Sequence, residues 1–128
     1  MKVFLGGTCN GSTWRESLIK LLKIDYFNPV VEEWTLDAAQ EEIYQREICD
    51  YCLYVVTPRM TGIYSIAEAV DDSNKRPEKT ILCILEEDGE YEFKHEARKS
   101  LRMVEKMVKR NGAKVFFNLY EVAEFLNS

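Results

Sequence analysis

Tyr51-Cys52-Leu53-Tyr54-Val55-Val56-Thr57 is the stretch that decides the fold. It is a nearly unbroken run of apolar and β-prone residues, ended by Pro58. A strand with one solvated face would alternate polar and apolar residues, so this run reads as a central parallel strand buried on both faces. Thr80 to Leu85 repeats the pattern. Lys2 to Leu5, Asp25 to Asn28 and Lys114 to Phe117 read as further strands. Helical spacing fills the intervals. Thr13-Trp14-Arg15-Glu16 fits a capping box that opens a helix striped by Leu18, Ile19, Leu21 and Leu22. Asp37 with Gln40 marks the start of a second helix, running to about Cys49, and a third spans about Ser65 to Ser73 before Lys75-Arg76-Pro77 breaks it. A long amphipathic helix carries Phe93, Ala97, Leu101, Val104 and Val108 on one face and is closed by Asn111-Gly112. Leu119 to Leu126 forms the last.

Strand and helix thus alternate five times, which implies a parallel sheet with helices on both faces. The expected fold is α/β, a flavodoxin-like (Rossmann-like) three-layer sandwich with five strands in the order 2-1-3-4-5. At 128 residues the chain fits one domain, residues 1–128, large enough to bury a core without staples.

Composition narrows the function classes. Seventeen Lys and Arg stand against 22 Asp and Glu, a net charge of −5 that argues against a dedicated nucleic-acid binder. No apolar run is long enough for a membrane span. The apolar run at the start, Val3-Phe4-Leu5, is too short for a secretion signal, so a cytoplasmic location is expected. Lys94 to Arg110 carries seven basic and two acidic residues, which reads as solvated lysines and arginines beside a core stripe. Of the four cysteines, only Cys49 and Cys52 are close, as Cys-Asp-Tyr-Cys. No further ligands at zinc spacing accompany them, and helix precedes strand, the reverse of a redox motif. Buried reduced thiols are the expectation, and no metal site.

Ligands in this fold bind beyond the carboxyl ends of the strands, where strands 1 and 3 diverge. The loops to watch are therefore Gly6–Ser12, Pro29–Leu36, Pro58–Tyr64 and Glu86–Glu92. The first, Gly6-Gly7-Thr8-Cys9-Asn10-Gly11-Ser12, is neither a dinucleotide fingerprint nor a Walker A loop. Its glycines serve either a tight turn or a backbone cradle for an anion or ribose. Glu68, in the first or second turn of the third helix, has two readings. Near a helix N-terminus a carboxylate is held ionised, suiting a nucleophile or electrostatic stabiliser. Ser65-Ile66-Ala67-Glu68 is also a capping-box pattern, in which Glu68 only bonds backbone. On the helix before strand 3, Asp37, Glu41 and Glu42 climb toward the pocket at about 1.5 Å per residue. Asp50 lies at the opposite end and reads as structural. Trp14, Phe27, Trp34 and Tyr64 lie near the loops and serve either as core or as stacking faces for a base.

Lys2-Val3-Phe4-Leu5-Gly6-Gly7-Thr8, the helix leading into Cys49-Asp50-Tyr51-Cys52-Leu53-Tyr54-Val55-Val56-Thr57, and Gly62 with Ala67-Glu68-Ala69 resemble the nucleoside 2-deoxyribosyltransferase family. The likeness is to its deoxyribosyltransferase-like branch, and the chain is also similar to the related deoxynucleoside 5′-monophosphate N-glycosidases. The resemblance implies cleavage or exchange of an N-glycosidic bond, with Glu68 as the catalytic nucleophile and Glu42 as the second catalytic carboxylate, acting at the leaving base. It implies a nucleoside or nucleotide substrate flanked by Gly7, Thr8, Asn10, Trp14, Tyr64 and Ser65. No metal or organic cofactor is expected, because the carboxylates carry the chemistry. A homo-oligomer is implied, with Phe93-Lys94-His95 as the stretch a neighbouring subunit would contribute. Where family members carry Asp or Ser six residues before the glutamate, this chain has Gly62, with the hydroxyls of Thr61 and Ser65 beside it. The alternative from a different class is a nucleotide-binding module without turnover.

Overall fold

The computed structural model describes residues 1–9 and 11–128. In chain order the elements are β1 (Lys2–Gly7), α1 (Trp14–Ile19), β2 (Asp25–Phe27), α2 (Leu36–Ile48), β3 (Tyr51–Val56) and α3 (Tyr64–Lys75). A 3-10 turn (Pro77–Lys79) then leads into β4 (Thr80–Ile84), β5 (Glu87–Asp88), β6 (Tyr91–Glu92), α4 (His95–Arg110), β7 (Lys114–Phe116) and α5 (Leu119–Asn127). Five strands form one parallel sheet in the order β2-β1-β3-β4-β7, the flavodoxin-like arrangement with β7 as its fifth strand.

The central run behaves as its composition dictates. Leu53 and Val55 enter one core with Val3, Leu5, Ile81 and Cys83, covered by Leu18 of α1 and Val122 and Leu126 of α5. Cys52, Tyr54 and Val56 enter the other with Phe4, Leu82 and Ile84, covered by Ala69 of α3 and Leu101 and Val108 of α4. Alternate residues of one strand serve opposite faces, so an uninterrupted apolar strand is what a two-sided core requires. Asn111 and Gly112 close α4, with Gly112 at φ +105°. Of the stripe on α4, Leu101 and Val108 are buried, whereas Ala97 is exposed.

Three expected helix starts differ from those observed. Thr13 precedes α1 but makes no side-chain cap, because its ψ of 14° is not the extended conformation a capping side chain needs. The helix of α1 ends at Ile19, so Leu21 and Leu22 pack from the turn that follows. The α2 helix is capped by Thr35, whose extended backbone lets its hydroxyl accept from the Ala38 N–H at 3.1 Å, and Asp37 falls in the first turn. Ser65 is already inside α3, so no capping box forms there and Glu68 is released from that role. The acidic stretch 86–92, expected as a loop, contains the β5–β6 hairpin, turned at Gly89 with φ +64°.

Three thiols, Cys49, Cys52 and Cys83, are buried and unpaired, and burial holds each above its ordinary pKa, Cys52 and Cys83 at about 12. Cys9 departs from that expectation and is exposed. Asp50 is structural, accepting from the Lys2 N–H at 2.8 Å. Among the described residues, no helix is long and apolar enough to cross a membrane.

Candidate functional site

At the carboxyl edge of the sheet, where β1 and β3 send their connections to opposite faces, lies a cavity of about 660 Å³. This is in the range of small-molecule sites. Its fixed side comes from the end of β1. Gly7, at φ +126°, crosses so close to β3 that a Cβ there would stand 2.1 Å from the Val55 carbonyl oxygen. Only glycine fits. The next residue, Thr8, donates its N–H to the Val55 carbonyl at 2.9 Å and accepts from the Thr57 N–H on its hydroxyl at 3.0 Å. The first loop is thereby tied to β3 before it reaches the cavity. Arg15 holds it from below, donating to the carbonyls of Leu5, Gly7 and Thr8.

The opposite wall comes from the β2–α2 connection, with Pro29, Val30, Val31 and Trp34, and is apolar. Met60, Thr61 and Gly62 from the β3–α3 connection complete the rim, with Tyr64 and Ser65 from the start of α3. A Cβ added at Gly62 would meet nothing within 4 Å, so the cavity is open there.

Two carboxylates enter this cavity from two helices, Glu42 from α2 and Glu68 from α3. Glu68 is 6% exposed and close enough to Glu42 for a hydrogen bond between the carboxyl groups. Burial first, and then the neighbouring Glu42, push the Glu68 carboxyl up to about 9. The expectation of a carboxylate held ionised by the helix dipole is therefore reversed. Glu68 lies in the second turn, beyond the reach of the dipole, and desolvation dominates. Glu68 therefore keeps its proton near neutrality, facing Glu42.

Beneath them is a charged network that the sequence reading did not single out. Arg46, one helical turn after Glu42, approaches Glu68 at 3.6 Å and grips Asp72 with two hydrogen bonds of 3.2 and 2.9 Å. Asp72, one turn after Glu68, is fully buried and also accepts from Arg76 at 2.9 Å and from the Tyr54 hydroxyl. Burial, then Asp72, raises the Tyr54 phenol, which remains protonated as a donor. A signal existed in the spacing. Glu42/Arg46 and Glu68/Asp72 are both i,i+4 pairs, so each helix presents two charges on one face.

The other sequence candidates divide clearly. Gly7, Thr8, Tyr64 and Ser65 line the cavity with Glu42 and Glu68. Asn10 lies outside the described residues. Trp14 is 3% exposed, packs in the core beneath α1 and donates its indole N–H to the Thr8 carbonyl, so it supports the loop and does not line the cavity. Phe27 packs on Phe4 in the other core, whereas Trp34 is the aromatic that reaches the cavity. Glu41 bonds Gln45 on its own helix and Asp37 is exposed; neither lines the cavity. The Glu86–Glu92 segment does not line it either.

No curated protein matches the chain. A family model described as nucleoside 2-deoxyribosyltransferase like matches residues 1–87, the segment that supplies every lining residue of the cavity. The chain belongs to the nucleoside 2-deoxyribosyltransferase-like family.

Proposed function

We propose that the protein cleaves or exchanges the N-glycosidic bond of a deoxynucleoside, with Glu68 as nucleophile and Glu42 as proton donor and acceptor at the base. The observation that carries this reading is that Glu42 and Glu68 both line the cavity, Glu68 buried and 3.6 Å from the guanidinium of Arg46. With substrate bound, the Glu68 proton moves onto Glu42 and leaves Glu68 ionised beside Arg46. A Glu68 oxygen attacks the anomeric carbon, the C–N bond breaks, and its electron pair leaves with the base, which takes the proton from Glu42. A second base, or water, then attacks the same carbon, gives its proton to Glu42 and frees Glu68.

A nucleoside suits the cavity better than its 5′-monophosphate. Among the described lining residues Arg15 is the one cation, and backbone carbonyls already occupy its guanidinium. Gly7 and Thr8 then face the sugar, with Ser65 beside Glu68, and Trp34 and Tyr64 face the base.

The test is a product assay by liquid chromatography and mass spectrometry with pooled deoxynucleosides and monophosphates, with and without free bases. Released or exchanged base with the unmutated protein and none with Glu68→Ala is the expected result. Ligand binding without turnover in any pool would replace the proposal with a binding module.

A homo-oligomer is part of the same reading. Ile43, Tyr44 and Ile48 of α2, with Ile63 and Tyr64 at the start of α3, are large apolar residues left exposed. Sedimentation equilibrium is expected to return a multiple of 15.0 kDa, and Ile43→Glu with Ile48→Glu to reduce it to one chain's mass.

A further inference from the structure

The β5–β6 hairpin has no buried apolar residue and contributes nothing to the cavity lining. Its attachments nevertheless converge on two cavity loops. Asp88 accepts a hydrogen bond from the Ser12 hydroxyl at 2.6 Å on one oxygen and faces Arg59 Nε at 3.4 Å on the other. The Arg59 guanidinium also lies over the Tyr91 ring, 4.4 Å from its centre. Backbone approach from Gly11 and Gly89 encloses that guanidinium: a Cβ on either would stand 3.8 or 3.4 Å from its nitrogens. Although the hairpin is exposed, the Asp88 side chain is only 15% exposed.

Ser12 ends the β1–α1 loop, which lines the cavity with Gly7, Thr8 and Cys9. Arg59 immediately precedes Met60, Thr61 and Gly62, which line it from the β3–α3 side. One carboxylate therefore joins the two loops from outside. We propose that Asp88 is a positioning residue that fixes the width of the cavity between the β1–α1 and β3–α3 loops, with the hairpin as its support. The inference rests on the proposed function for its kinetic consequence alone; the joining of the loops is independent of the reaction.

Asp88→Ala removes the carboxylate's contacts to Ser12 and Arg59, leaves Arg59 over Tyr91, and touches neither core. Asp88→Asn keeps an acceptor for Ser12 and loses the charge facing Arg59. Hydrogen exchange followed by mass spectrometry is expected to show peptides covering residues 11–13 and 59–63 exchanging about tenfold faster or more in Asp88→Ala, with β3 and β4 unchanged. With a turned-over substrate, KM rises about tenfold while kcat stays within about twofold, since the carboxylate pair is intact, and Asp88→Asn falls between. Unchanged exchange in both loops overturns the proposal. Faster exchange with an unchanged KM overturns the positioning role. If the unmutated protein turns over none of the pooled substrates, the proposed reaction falls, and the exchange experiment still decides whether Asp88 joins the loops.

Discussion

Glu68→Gln is expected to abolish base release and exchange, lowering kcat by about 10³-fold or more, as loss of a nucleophile does elsewhere, while making the protein more stable above neutral pH. The two effects have one origin. The folded protein holds the Glu68 proton to about pH 9, whereas the unfolded chain releases it near the ordinary value of 4.5. Between those values the folded state binds more protons, so the group's contribution to stability is full below about pH 4.5 and is lost progressively toward pH 9. A glutamine does not titrate, and its amide can donate to Glu42 as the protonated acid does. Above about pH 5 the variant's advantage over the parent therefore grows with pH, read as a rising difference in Tm, and its own stability changes less between pH 5 and 9. Thermal melts across that range, beside the product assay, test both halves. A variant that is inactive but melts in parallel with the parent at every pH would show that Glu68 does not retain its proton. In the parent, kcat/KM is expected to fall above about pH 9, where the Glu68 proton is lost.

The second large effect is expected at Arg46. Arg46→Met keeps the length of the side chain and removes the guanidinium that bridges α2 to Asp72 and Glu68 of α3. Arg76 and Tyr54 remain on Asp72, but a fully buried carboxylate loses its bidentate partner. Breaking a buried pair from one side destabilises by about 3–5 kcal/mol, which lowers Tm by on the order of 10 °C. Arg46→Lys recovers little, because an ammonium cannot span both carboxylates in the plane of a guanidinium fork. The double variant Arg46→Met with Asp72→Asn recovers part of the loss, since it no longer buries an unmatched charge. Urea melts of the parent, Arg46→Met, Asp72→Asn and the double variant form the cycle that measures this. Additive losses in the two single variants would disprove the coupling.

The sheet was legible because its strands are unambiguous: Tyr51–Thr57 and Thr80–Leu85 have no polar face to offer. Helix rise and strand direction brought Asp37, Glu41 and Glu42 toward the cavity, and only the family resemblance singled out Glu42 and Glu68, which both line it. Arg46 and Asp72 were missed for a definite reason. The α2 helix turns Gln45 and Arg46 inward and leaves Ile43, Tyr44 and Ile48 exposed, so its apolar pattern marks the outside. Reading inward faces from hydrophobicity fails on such a helix. Trp14 was misplaced because an aromatic next to a glycine-rich loop has no local signal for its direction. The direction is set by the Thr8 carbonyl and the core beneath. The hairpin escaped because two residues per strand carry no periodicity, and side chains far away in sequence, Ser12 and Arg59, hold it.

The cavity's two sides are anchored unequally. Gly6, Gly7 and Thr8 are registered against β3 by the sheet itself, so substitution there disturbs the central strands. Pro29, Val30, Val31 and Trp34 belong to no strand or helix, and Val30, Val31 and Trp34 are largely exposed. On the proposed reading, chemistry and selectivity are thus carried by separable parts of the chain. Changes along residues 29–34 can retune which base is accepted with little penalty to folding, while the carboxylates and the glycine turn stay as they are. A lineage built on this frame can diversify its substrates one loop at a time, and a saturation library confined to those six positions is the economical place to begin redesign.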